Sequence, residues 1–196
     1  MKNRNKYFNL IIVAAVVTLV GLSACESNSN YINPKEYIEA ELKLLDEYYN
    51  EEMANGLSRL DSMSAAAIDT VDHRLESGLM LYHTKIGEGD SVKVFKRVAY
   101  RFTAYDIVKD SIDGGLKTVE RYLGTNDFDT APVSFTTYII GDAASAQQTG
   151  VSLGINEAIQ HMRYGGEAKI VVPSAIAGFQ GYDTYIYELR VTYLEQ

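Results

Sequence analysis

The chain has one cysteine, three prolines and no tryptophan in 196 residues. A single cysteine excludes a disulfide scaffold, and 15 glycines with three prolines exclude a collagen-like repeat. Basic residues are scarce: 18 Lys and Arg stand against 26 Asp and Glu, a formal charge of −8. That balance lacks the electrostatic footprint of a nucleic-acid binder. The N-terminal apolar run, Leu10 to Leu22, is 13 residues long, short of the roughly 20 that a membrane-spanning helix needs. What is present is 46% hydrophobic, 11% aromatic and 22% charged. This excludes disorder throughout and suits one domain with a core plus appendages.

Residues 1–24 carry the marks of a processing segment. Lys2, Arg4 and Lys6 precede the apolar run, which has the length of a signal-peptide core. The run ends in Leu22-Ser23-Ala24-Cys25, which resembles the lipobox of bacterial lipoproteins, where the cysteine is lipidated and becomes the first residue. The plainer alternative is an incidental cysteine after an ordinary signal peptide or anchor helix. Removing residues 1–24 takes three of the 18 basic residues and none of the 26 acidic ones, leaving a formal −11. Anionic lipid repels so acidic a body, so a lipid on Cys25, with two buried chains, is the expected anchor. Residues 25–33 then form a polar tether.

Residues 34–75 are expected to be a helical segment and a connector. Asn33 suits an N-cap, Pro34 the first helical position, and Glu36 lies three residues after the cap. Ile38, Leu42, Leu45, Tyr49 and Met53 follow at steps of 4, 3, 4 and 4, one apolar stripe, and Asn55-Gly56 ends the pattern. Such a stripe must pack on the following domain or on a second copy of the chain. Residues 57–76 give no clear period; Ser64 to Ile68 is alanine-rich.

From Leu79 the period changes to two. Val92, Val94, Val98, Tyr100, Phe102 and Ala104 alternate with Lys93, Arg97 and Arg101, the pattern of a half-buried strand. Asp113-Gly114-Gly115 marks a turn, and Val133 to Ile140 is rich in strand formers. Ile155, Ile159 and Met162 space as a short helix closed by Gly165-Gly166; Ala168 to Val172 forms a strand stopped by Pro173. Thr184 to Leu194 forms a last strand with Tyr185, Tyr187, Leu189, Val191 and Tyr193 on one face. Residues 76–196 are therefore expected to be an α+β domain, an antiparallel sheet wrapped around a short helix.

In this order the motifs resemble the FKBP-type peptidyl-prolyl isomerases. The resemblance rests on Glu76-Ser77-Gly78-Leu79, on Lys85-Ile86-Gly87-Glu88-Gly89-Asp90, on Val98-Ala99-Tyr100 and on Pro132-Val133-Ser134-Phe135. It continues through Gly154-Ile155-Asn156-Glu157-Ala158-Ile159 with Met162 and Gly165, Ala168 to Ser174, and the closing strand with Tyr187. The leading helix and FKBP-like end are also similar to small lipoproteins of Bacteroides-type bacteria. The resemblance implies an FKBP-like domain in a cell-envelope protein, periplasmic or at the outer membrane or surface, with prolyl segments of exported proteins as clients.

Rotating an X–Pro bond meets a barrier of about 20 kcal/mol from lost amide resonance. An apolar cup that holds proline and excludes water lowers it with no nucleophile, metal or cofactor. The resemblance assigns cup positions to Tyr100, Val133, Val151, Ile155, Phe179 and Tyr187. It assigns a Phe-Asp pair to Phe128 and Asp129, at a spacing to Pro132 shorter than the family's. Three departures reduce the cup. Val133 replaces a usual aromatic, Ile155 a usual tryptophan floor, and Gly178 a tyrosine whose hydroxyl bonds the ligand. The family's longer loop with an Ile-Pro pair is absent after Phe179. Tyr100, Phe135, Ile155 and Tyr187 equally suit plain core packing. The expectation is a degenerate peptide- or protein-binding module, with a peptidyl-prolyl isomerase as the alternative.

Other chemistry finds little support. His73, His83 and His161 are far apart and lack metal-type partners at helix spacing, so no metal site is expected. Neither a Gly-x-Ser-x-Gly elbow nor a phosphate-binding Gly-x-x-x-x-Gly-Lys occurs. Asp106, Asp110 and Asp113 suggest a solvated acidic edge.

Overall fold

A computed structural model describes residues 33–112, 114–178 and 182–195. The expected processing segment, Cys25 with the tether through residue 32, Asp113 of the expected turn and acidic edge, and Phe179 lie outside the described residues. Alternating apolar residues build one antiparallel sheet: β1 (Asp69–His73), β2 (Leu79–Lys85), β3 (Arg97–Ile112), β4 (Gly115–Thr125), β5 (Val133–Thr136), β6 (Glu167–Val172) and β7 (Tyr185–Leu194). Their spatial order is β1-β2-β6-β7-β3-β4, with β5 also on β3. Five helices are described: α1 (Pro34–Asn50), α2 (Arg59–Ala66), α3 (Ala143–Thr149), α4 (Leu153–Gln160) and α5 (Ser174–Ala177). The chain is thus α+β, and Pro34–Gln196 forms one compact unit.

Strand β3 is long enough to serve two partners along one edge. Arg97 to Tyr100 pair with β5 and Thr103 to Ile112 with β4, while β7 runs along the other edge. The changeover is filled by Asn126, a buried amide whose Oδ1 accepts from the Phe102 backbone N–H at 2.7 Å. The Asn126 backbone N–H in turn donates to the Phe102 carbonyl at 3.1 Å. Arg101 donates to the Asn126 and Asp129 carbonyls and closes the same corner.

The central strands are apolar on both faces. On one face Leu79, Leu81, Ile170, Val172, Tyr187, Leu189 and Val191 meet Ile155, Ala158 and Ile159 of α4. On the other, Met80, Tyr82, Val171, Ile186 and Ile107 meet Leu45, Tyr48 and Tyr49 of α1. The period of two places neighbouring residues of one strand in different cores. Fully burying a side chain of this size is worth about 1.5–3 kcal/mol, so both covers matter.

Helix α1 therefore packs on the sheet of its own chain through the C-terminal part of its stripe. Ile38 and Leu42, in the same predicted stripe, are exposed. Between them the buried residue is Glu41, whose carboxylate accepts from the Ser174 backbone N–H (2.6 Å), Ser174 Oγ (2.5 Å) and Thr184 Oγ1 (2.7 Å). Farther along, Tyr48 donates to Glu120 at 2.6 Å, and Lys169 donates to the same carboxylate. The Arg59 guanidinium lies 4.4 Å from the Tyr48 ring centre.

Several local expectations are corrected. The helix expected to run to Met53 stops at Asn50. The Glu51 carbonyl accepts from the Arg59 backbone N–H, and its carboxylate accepts from the Thr118 backbone N–H and hydroxyl. Those bonds turn the chain away before Asn55-Gly56. The connector over 57–76 holds α2, capped by Ser58, and the strand β1. The strand expected from Val92 begins at Arg97, and Val133 to Ile140 forms strand only to Thr136.

Three hydrogen bonds to one buried carboxylate predict a specific cost. Glu41→Ala removes the acceptor for Ser174 and Thr184 and lowers unfolding free energy by about 2–4 kcal/mol. An exposed control, Glu39→Ala, stays within about 0.5 kcal/mol. Urea unfolding followed by circular dichroism measures both; equal midpoints for the two variants would refute the clamp.

Candidate functional site

The residues that the resemblance groups into a cup come from four parts of the chain. Tyr100 lies on β3, Val133 on β5, Tyr187 on β7, and Val151 and Ile155 flank the start of α4. Helix α4 begins where Ser152 Oγ accepts from the Ile155 backbone N–H at 3.2 Å. The helix can press on β6 because Gly154 has no side chain: a Cβ there would meet Val172 Cγ1 at 2.5 Å. Six consecutive residues, Gly154 to Ile159, are buried.

Tyr100, Val151, Ile155 and Tyr187 share the α4 core, and Val133 packs partly buried against it. Phe102, Phe135, Tyr138 and Tyr185 complete an aromatic cluster. Tyr100 meets Phe135 edge-on at 5.9 Å, Phe102 meets Tyr187 edge-on at 6.0 Å, and Tyr185 stacks on Tyr187 at 6.2 Å. Phe102, Tyr138 and Tyr185 were not singled out as site residues from sequence, although Phe102 and Tyr185 fall on the alternating faces that were read there. Phe128 stands apart: its side chain is 93% exposed on the turn after β4, and neighbouring Asp129 is exposed too. Phe179 lies outside the described residues.

Two polar arrangements shape this cluster. Asn156 binds both backbone groups of Tyr138, accepting from its N–H at 3.0 Å and donating to its carbonyl at 2.9 Å. Tyr138 then donates its hydroxyl to the Val151 carbonyl at 2.7 Å, fixing the loop before α4. By contrast, no hydrogen bond among the described residues reaches the hydroxyls of Tyr100 or Tyr187. Burial, then the neighbouring Tyr187 and Tyr138, hold the Tyr100 pKa well above the usual phenol value. Burial and Tyr185 push Tyr187 up to about 12. Both phenols therefore remain protonated donors at neutral pH.

At Gly178 the backbone is left-handed, with φ of 77° at the C-cap of α5. A glycine meets that conformation without the steric cost a tyrosine would carry. A Cβ there would also approach Ser152 Cβ at 3.3 Å.

The fold also gathers groups that sequence reasoning kept apart. The His73 and His161 rings are in edge contact, 5.1 Å between centroids, and His73 Nδ1 is 2.8 Å from Glu157 Oε1. The expectation that the histidines lack partners at helix spacing is corrected: Glu157 and His161 are four residues apart at the end of α4. That spacing was visible in the sequence; the approach of His73 from β1 was not. Burial lowers the pKa of His83, against Asp69 and aided by His161 and Arg163.

No family model matches the chain, and no curated protein does. Among solved structures, FkpA from Escherichia coli is similar at 15% identity and a TM-score of 0.42, covering 100% of this chain and 74% of that one. A peptidyl-prolyl cis-trans isomerase from Pseudomonas syringae pv. tomato is similar at 14% identity and a TM-score of 0.43. That match covers 86% of this chain and 100% of the other.

Proposed function

We propose that this chain is a lipid-anchored, FKBP-like module of a bacterial cell envelope that binds prolyl segments of exported proteins in a reduced cup. The supporting observation is the aromatic cluster around α4, in which Tyr100 and Tyr187, at positions the family uses for its pocket, have hydroxyls that take no hydrogen bond among the described residues. Proline is apolar on its ring and polar only at the flanking carbonyls. A wall of aromatics with protonated phenols offers both kinds of contact.

The reduction favours binding over catalysis. Ile155 gives the cup no flat ring to stack under proline, Val133 narrows one wall, and Gly178 contributes no hydroxyl. A planar and a twisted imide are then held about equally, and uniform binding does not lower the barrier. A weak isomerase is the second reading, favoured by the same two tyrosine hydroxyls, which can donate to a twisting carbonyl. Cys25, outside the described residues, carries the lipid in this proposal. Cys25→Ser therefore moves the full-length protein from the membrane to the soluble fraction; unchanged fractionation overturns the anchor.

Binding and catalysis separate in one set of measurements on the detergent-solubilised protein. Titration with proline-containing peptides detects saturable binding, and a protease-coupled isomerisation assay run beside an active FKBP stays at background. Tyr100→Phe and Tyr187→Phe lose no hydrogen-bond partner among the described residues, so each keeps its thermal stability while peptide affinity falls roughly two- to tenfold. No binding by any prolyl peptide overturns the proposal. A rate above background that both substitutions reduce establishes the isomerase reading instead.

A further inference from the structure

A second constellation stands apart from the aromatic cluster, where the end of β1 meets α4. Its centre is Glu157, a carboxylate only 4% exposed. One oxygen, Oε1, takes two contacts at 2.8 Å, from His73 Nδ1 and from Ser77 Oγ. His161 closes the group: one donor atom each from His73, Glu157 and His161 lies within 4.8 Å of the others. His161 Nε2 is buried and has no hydrogen-bond partner among the described residues.

We propose that His73, Glu157 and His161 form a binding site for a divalent transition-metal ion of the zinc type. Two imidazoles and one carboxylate are a donor set that zinc accepts, with water or another ligand in a fourth position. Zinc bonds of 2.0–2.2 Å in a tetrahedron set donor atoms about 3.3 Å apart. The 2.8 Å between His73 Nδ1 and Glu157 Oε1 and the 4.8 Å within which all three donors lie bracket that value, so small side-chain rotations suffice.

The surroundings suit a cation. Glu157 offers a buried carboxylate, and the Ser77 hydroxyl that donates to it holds it in place. The orphaned nitrogen of His161 marks the polar capacity that the protein itself leaves unfilled. His73, with 27% of its side chain exposed, gives the ion a path from solvent. Nitrogen donors select against magnesium and calcium, which prefer all-oxygen shells. A bound ion would tie the sheet-edge strand β1 to the helix that the aromatic cluster packs around.

The test uses the full chain purified without a histidine tag and titrated with zinc chloride, with magnesium chloride in parallel. One zinc per chain is expected, with no comparable binding of magnesium. His73→Ala and His161→Ala each weaken zinc binding about tenfold or more. His73→Ala removes one partner of the buried Glu157 and lowers the metal-free melting temperature, so the comparison is of the zinc-induced rise within each variant, which the parent shows and His73→Ala loses. Cobalt(II) in place of zinc gives a ligand-field absorption band that is absent in His73→Ala. No saturable zinc binding overturns the site, as does zinc affinity unchanged in both variants.

Discussion

The central strands of the sheet have no outer face to spare. Met80 and Tyr82 on β2, Val171 on β6 and Ile186 on β7 point away from the helix that fills the main core, and each is buried. Strands apolar on both faces need a cover on each side, and α1 and α2 supply the second one. Tyr48 is completely buried and spends its hydroxyl on Glu120, which also receives Lys169. The segment before the sheet is therefore part of the fold it precedes.

The same constraint reaches the candidate site. Glu41, on the helix that roofs one face, bonds Ser174 and Thr184, which bracket Gly178 and the segment leading into β7. On the opposite face, α4 is buried over nearly its whole length, so its polar side chains must find partners inside the protein. Asn156 finds Tyr138, and Glu157 finds His73 and Ser77. Through these contacts α4 holds both the loop of the aromatic cluster and the histidine–carboxylate group.

Much of this was legible in the sequence. The run Ala168 to Val172 stopped by Pro173 marked β6, the alternation of Thr184 to Leu194 marked β7, and the Ile155-Ile159 spacing marked α4. The motif order placed Tyr100, Val151, Ile155 and Tyr187 together. β4 was not legible because only Thr118 of its 11 residues is fully buried, which leaves little contrast between its faces. β1 is five residues with no buried position. The early end of α1 depends on Thr118, 67 residues beyond Glu51, and no local pattern carries such a contact. The histidine–carboxylate group failed for the same reason. Glu157 and His161 share a helix, but His73 reaches them only through the pairing of β1 with β2.

The claim that α1 completes the core by covering the sheet's second face is tested most directly by hydrogen exchange. Mass spectrometry would follow backbone amides of β2, β6 and β7 in the parent chain and in a variant lacking residues 34–50. Loss of the cover predicts that peptides containing Met80, Tyr82, Val171 and Ile186 exchange much faster, as the exposed apolar face destabilises the strands. Unchanged protection in those peptides would contradict the account and make α1 an appendage to a sheet that is stable without it.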